Sequence, residues 1–467
     1  MLRKLLIGWM ALSGGLASAQ TMDTTAEMDR ALAAGYKAQF TCSASFMGDK
    51  PLDAITIDEL TLIYPDYREN LAQLPPAEID HDTGIVSVVW SETMPPRYSL
   101  HIGGGLGCRS LPIGADVKDF EELAQGEPEA SSCDPADLDI RVDPDVSTEQ
   151  VSVPVALLPV MTAAFDGATY GEGNRTSAVI VVKDGVIFAE DYAETSGPCT
   201  PQRTWSVGKS ISATIIGAAV YQDILEVDAR TGLSAWSTPG DPRGLITLDD
   251  LLHMASGLDS GEKGSRSDQI YFGGGSVNEF AANRSLEVVP GTRFKYANDD
   301  TLLAMLTLRE SFDSAADYHA FPKAAVFARL GMNSTSLETD WRGNFVSSSQ
   351  VWTTARDLAK LGQLYLNDGV WAGTRILPEG WSEYVSTPSG PQPEGNWGYG
   401  AQFWLPKGEN GVPDDAYLAA GHRGQYVVII PSENMVIVRR GYDQSGGPGG
   451  FQITKFAADV LAAVKDE

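Results

Sequence analysis

Histidine and cysteine are scarce in this 467-residue chain, and neither falls at a metal-binding spacing. The five histidines (His81, His101, His253, His319, His422) form no His-x-x-x-His pair and the four cysteines no Cys-x-x-Cys, which argues against a zinc site. No Gly-x-Ser-x-Gly elbow is present, so the nucleophile of an α/β-hydrolase is excluded. Nor is there a Gly-x-x-x-x-Gly-Lys-Ser/Thr loop to cradle a nucleotide phosphate; no cofactor is expected. Basic side chains number 34 against 62 acidic, a formal charge of −28. Such a surface repels nucleic acid and anionic membrane, so neither is an expected partner. No run beyond the N-terminus approaches the roughly 20 apolar residues of a membrane span. Internal repeats and low-complexity tracts are also missing, and nothing in the sequence speaks to oligomeric state.

The N-terminus carries a different signal. Arg3 and Lys4 precede a short apolar run, Leu5 to Leu12, and Ala17-Ser18-Ala19 offers small residues for cleavage. Residues 1–19 therefore read as a secretory signal peptide cut between Ala19 and Gln20, sending the chain to a periplasm or outside the cell. In an oxidising compartment an even cysteine set pairs. Of three connectivities, Cys42–Cys108 and Cys133–Cys199 are expected; buried free thiols are the alternative.

Ser206-Val207-Gly208-Lys209 is the most informative stretch. It opens a run, SVGKSISATIIGAAVY, whose one charged residue is Lys209, as in a helix buried on nearly every face. Residues i and i+3 share a face of a helix, so the amine reaches the hydroxyl. A serine is a poor nucleophile without a base, and a desolvated lysine loses its charge near neutral pH. The plainer reading of Lys209 is a snorkelling side chain with a covered stem. Ser-x-x-Lys occurs again at Ser260–Lys263, in a glycine-rich polar stretch. Further on stand Tyr296-Ala297-Asn298 and then His422-Arg423-Gly424, the latter just before the apolar run Gln425–Ile430, which reads as a buried strand. Tyr365-Leu366-Asn367 repeats the Tyr-x-Asn pattern inside an expected helix.

These motifs, in this order, resemble the serine β-lactamase and penicillin-binding-protein superfamily, in its class C, esterase and D-aminopeptidase branch. The chain is most similar there to 6-aminohexanoate-dimer hydrolases. Leu251–Leu258, Pro290–Tyr296, Leu330–Met332, Thr354–Gly362, Tyr399–Trp404 and Gly421–Gln425 carry the likeness, over roughly residues 155 to 450. The resemblance implies Ser206 as nucleophile, Lys209 as its base or base partner, Tyr296 as proton shuttle and Asn298 as orienting group of substrate and Lys209. It also implies an oxyanion hole from the backbone N–H groups of Ser206 and Gln425, with His422 and Gly424 at the substrate. Relatives that recognise penicillin carry Lys-Thr-Gly or Lys-Ser-Gly where this chain has His422-Arg423-Gly424. A neutral histidine anchors a carboxylate poorly, although Arg423 compensates if it faces the cleft. A tyrosine that closes over substrate in the amide-hydrolase branch is Gly264 here, with Tyr271 the nearby substitute. Both departures favour a small amide or ester over a β-lactam or a nylon-type oligomer. The alternatives are a D-aminopeptidase, carboxypeptidase or β-lactamase, or a binding or sensing protein of the same fold. His422 as a direct base for Ser206 is a weaker option.

The expected architecture is α+β: an antiparallel sheet flanked by helices, plus an all-α subdomain. Residues 20–113 hold short alternating runs such as Ile85–Trp90 and suggest a small strand-containing region. Residues 114–150 read as an acidic linker and 151–467 as the hydrolase domain, with a helical insert at about 210–385. Ser177–Val182 and Val186–Tyr192 read as a hairpin turning at Asp184-Gly185. Tyr399–Trp404, Gly424–Ile430 and Met435–Arg439 are expected strands, and Val155–Phe165 and Ile453–Lys465 expected helices.

Overall fold

A computed structural model describes residues 24–124, 133, 139, 141–146, 154–259, 266–447 and 450–465. The expected leader, much of the acidic linker and the Ser260–Lys263 motif copy lie outside them.

The centre of the molecule is a seven-stranded antiparallel sheet. From edge to edge its strands are Gly398–Tyr399, Trp404–Leu405, Tyr417–Gly421, Gln425–Ile430, Met435–Gly441, Thr176–Lys183 and Val186–Tyr192. The last two are the expected hairpin, with Asp184 and Gly185 both in the left-handed region its tight turn requires. Successive side chains of a strand point to opposite faces, and here both faces are apolar. Ile180, Val182, Val427, Ile429, Val436 and Val438 join one core with the helices Val207–Tyr221 and Ala355–Leu366. Val179, Val181, Val428, Ile430 and Ile437 join a second core with Leu157–Ala163 and Ile453–Lys465. The fold is α+β, as the motif order implied.

Three regional expectations need correction. Tyr399–Trp404 is not one strand but two short ones paired with each other, because the chain reverses at Ala401–Phe403. The strand Tyr417–Gly421 beside it shows no alternation that sequence reading had caught. The insert drawn at 210–385 is also too long: Ala355–Leu366 packs on the sheet, and Val351–Thr353 pairs with Gln202–Arg203 and Ser336–Leu337 in a small sheet of its own.

The N-terminal region departs most from its expected form. It begins with a 23-residue helix, Thr24–Phe46, which lies on a four-stranded sheet of Glu78–Asp80, Ile85–Val88, Arg97–His101 and Cys108–Ser110. The helix is rich in Ala and buried on all sides from Ala31 to Phe46 save Lys37, so it has no amphipathic stripe to reveal it. It is continuous with the hydrolase core. Tyr36 packs 4.9 Å from Phe272, Phe40 stacks 6.1 Å from Trp205, and Arg97 donates to Ala31 O, Leu111 O and Phe272 O. Disulfides join Cys42 to Cys108 and Cys133 to Cys199.

Candidate active site

The short strand Gln202–Arg203 turns into the helix Val207–Tyr221 through Trp205, whose φ of +50° is uncommon for a bulky residue. Ser206 then stands at the helix start with φ −69° and ψ −4°. One turn on, Lys209 Nζ donates to Ser206 Oγ at 3.2 Å, to Asn298 Oδ1 at 2.5 Å and to Ser348 O at 2.9 Å. Tyr296 neighbours Ser206, and its ring centroid lies 5.0 Å from the amine. Residues from two separate motifs thus meet around the Lys209 amine. Asn298 reaches that amine because it is the first residue of the buried helix Asn298–Glu310.

Two glycines make the approach close enough. A Cβ on Gly208 would lie 2.3 Å from Ser347 O, so only glycine admits the Ser347-Ser348 backbone that supplies a carbonyl to Lys209. A Cβ on Gly421 would lie 2.4 Å from Thr204 O and 3.1 Å from Ser206 N. The strand end where Gly421 pairs with Gln425 therefore runs against the backbone N–H of Ser206.

Burial dominates the electrostatics. It lowers the Lys209 pKa from 10.5 to about 7; Asp299 opposes this, Arg203 adds to it, and Asp300 opposes it more weakly. The Tyr296 phenol is pushed well above its usual 10 by burial, with the Ser206 hydroxyl pulling the other way. Near pH 7 both forms of the lysine are populated: the ammonium gives the three bonds above, while in the free amine the Ser206 hydroxyl becomes the donor to Nζ; the tyrosine keeps its proton. His422 falls to about 4, through burial first and then the positive charges of Arg423, Arg203 and Arg266.

The other predicted residues are placed as follows. His422 shares a hydrogen bond with Ser445 Oγ at 2.8 Å through Nε2, and its ring lies 5.0 Å from that of Trp205. Gly424 takes φ +79°. The Gln425 side chain turns into the sheet, giving to Arg423 O and Gly441 O and accepting from Arg440, so its backbone is what remains for a site. Arg423 does not face the cleft. It is 3% exposed and donates to the carbonyls of Asp58, Thr61, Tyr442 and Asp443, so it offers no replacement for a carboxylate-binding lysine. Tyr271 shares a hydrogen bond with Ser348 Oγ at 2.5 Å, the residue whose carbonyl accepts from Lys209. Tyr365 lies in the core beside Thr214 and away from Ser206. Sequence reading did not find Ser348 or Tyr64, which stacks on His422 at 5.2 Å; neither stands in a motif. Among the described residues no group of three or more His, Cys, Asp or Glu is placed to hold a metal ion.

A buried amine bonded to a serine at a helix start, beside the end of a central strand of an antiparallel sheet, defines the serine hydrolases of the β-lactamase and penicillin-binding-protein superfamily. Residues 163–441 match the model of the Beta-lactamase family, and the chain belongs to that family. It is 25% identical over 326 residues to the 6-aminohexanoate-dimer hydrolase of Paenarthrobacter ureafaciens, spanning 64% of this chain and 80% of that protein. Among solved structures, a Bacillus anthracis protein provisionally named a 6-aminohexanoate-dimer hydrolase superposes with a TM-score of 0.54 at 22% identity, covering 62% of this chain and 79% of that one. A class C β-lactamase superposes with a TM-score of 0.51 at 13% identity, over 66% and 96% of the two chains. At these identities the structural likeness is one of fold.

Proposed function

We propose that the protein is a secreted serine hydrolase that cleaves a small amide or ester through an acyl intermediate on Ser206. The observation that carries this is Lys209: buried, bonded to Ser206 Oγ at 3.2 Å and brought to a pKa of about 7. A base with a pKa near the working pH combines a large free fraction with useful basicity. In the first step the Lys209 amine takes the Ser206 proton while Oγ bonds to the substrate carbonyl carbon. The carbonyl oxygen gains the negative charge and is met by the N–H groups of Ser206 and Gln425. As the intermediate collapses, the bond to the leaving amine or alcohol breaks, and Tyr296 hands that group its proton and recovers one from Lys209. Water then repeats the sequence on the acyl-serine, with the same groups in the same roles. Asn298 and the Ser348 carbonyl hold the amine in line.

The altered His422 motif bears on substrate. With His422 neutral and Arg423 turned away, the carboxylate of a β-lactam or a D-amino-acid stem meets a weak anchor. Export is supported by the leader-like residues 3–19 and the two disulfides, and among the described residues no helix is long and apolar enough to cross a membrane.

The test is the intact mass of the protein after treatment with a serine-reactive fluorophosphonate, beside Ser206→Ala. One adduct on the wild type and none on a folded variant is expected, followed by turnover of simple amides or esters. Absence of an adduct on both sinks the hydrolase reading and leaves a binding protein of the same fold.

A further inference from the structure

The loop Glu59–Tyr64 lies outside the matched segment 163–441, yet it reaches the residues around Ser206. Its backbone is clamped from the hydrolase side. Arg423 donates to Asp58 O at 2.7 Å and Thr61 O at 3.1 Å, and Ser445 N donates to Leu62 O at 2.8 Å. From the other side Arg68 donates to Ser445 O at 2.6 Å. The clamp delivers Tyr64 onto His422, ring centroids 5.2 Å apart and 17° from parallel, and edge-on to Trp205 at 5.9 Å. The guanidinium of Arg266 lies 4.2 Å from the Tyr64 centroid, itself fixed by Asp66 and Asp268. Cation–π and ring contacts of this kind resist rotation of the side chain.

We propose that Tyr64 is a specificity-determining residue: its ring closes the His422 end of the substrate cleft and admits only compact groups without a carboxylate. The inference rests on the hydrolase reading for its cleft, and the N-terminal region then completes the site. Trp205 precedes the nucleophile in sequence, and Gly421, which abuts the Ser206 N–H, precedes His422. A ring packed on both aromatic groups therefore borders the space beside the reacting carbonyl. It is held by several partners, so a larger substrate group has to displace packed side chains rather than a free one. Charge selects in the same direction. His422 is neutral at pH 7, Arg266 is engaged by two carboxylates and Arg423 by four carbonyls. Arg203, the third cation near these rings, is buried against Phe40 and Trp205 and bonded to Ser349, with Nη1 left unpartnered among the described residues.

The experiment measures binding of p-nitroanilides to Ser206→Ala and to Ser206→Ala/Tyr64→Ala, so that turnover is not needed. One series lengthens the acyl group from acetyl to octanoyl; another keeps acetyl and enlarges the amine. Tyr64→Ala is expected to shift the ratio of large-group to small-group affinity by about tenfold in at least one series. Tyr64→Phe should keep the wild-type ratio, since the ring is retained. Tyr64→Val serves if the alanine variant does not fold. An unchanged ratio in both series, equal weakening of every compound, or no binding of any compound to either protein overturns the proposal. So does tighter binding of a succinyl than of a butyryl anilide. Fluorophosphonate labelling of the wild type is scored separately: its absence removes the hydrolase reading, while the affinity ratios still decide the role of Tyr64.

Discussion

Tyr296 and Tyr365 occupy the same tripeptide pattern, are both buried enough to hold their protons, and both stand beside a hydroxyl on or just before the helix Val207–Tyr221. Their surroundings separate them. Tyr296 meets Ser206 at the helix start, half-buried among Tyr399 and Trp404, and its companion Asn298 accepts from Lys209. Tyr365 meets Thr214 two turns further along and is enclosed by Phe403 and Tyr417; its companion Asn367 turns to Asp143. A phenol can shuttle a proton only where its partner is also open to a third reactant. The motif supplies the phenol, and the position on the helix decides whether it has anything to do.

The strongest way to break this contrast is at the lysine that only one of the tyrosines adjoins. Lys209→Met should lower kcat by about 10³-fold with the fold retained, because the base is lost and its cavity is filled by an apolar chain. Parallel kinetics and circular dichroism check this, and turnover within tenfold of wild type contradicts the assignment. Next, Tyr296→Phe should cost on the order of 10²-fold in kcat, with the larger loss on substrates whose leaving group is the poorer one. A set of anilides with graded leaving groups reads it. The pH profile sharpens the same point. Lys209 must be unprotonated to act and its pKa is depressed to about 7, so kcat/KM should rise about tenfold per unit below 7 and level off above it. A rising limb centred near 4 instead points to His422. Smallest of all, Tyr365→Phe should leave kcat within about twofold and lower stability by roughly 1 kcal/mol, the net worth of its hydrogen bond with Thr214. Thermal melts beside steady-state rates show it; a hundredfold loss of rate without loss of stability erases the distinction between the two copies.

Legibility from sequence followed contact order within the chain. The Ser206–Lys209 pair is an i, i+3 contact on one helix, and the Asp184-Gly185 turn is a four-residue event, so periodicity and turn chemistry were enough for both. Four strands of the central sheet, Thr176–Lys183, Val186–Tyr192, Gln425–Ile430 and Met435–Gly441, betrayed themselves as runs rich in β-branched residues. Tyr417–Gly421 and the helix Thr24–Phe46 did not, since Leu-Ala-Ala and Ala-rich segments favour no face and take their form from what packs on them. The direction of Arg423 was left open by the sequence: its neighbour His422 stacks on Tyr64, while its own φ of +60° accompanies a guanidinium turned to carbonyls of Asp58 and Thr61, more than three hundred positions earlier.

By itself, then, the sequence determined the chemistry on offer: a serine with a lysine one turn away, a second phenol–amide pair, a motif short of a carboxylate-binding lysine, and four cysteines. These follow from residue identity and short-range geometry, which the chain carries wherever it folds. The tertiary structure alone decided how dry Lys209 is, that the Ser348 carbonyl accepts from it, and that Tyr64 from a distant region sits against His422. Those depend on closing loops of tens to hundreds of residues, and such closure is set by the packing of the whole core rather than by any local pattern.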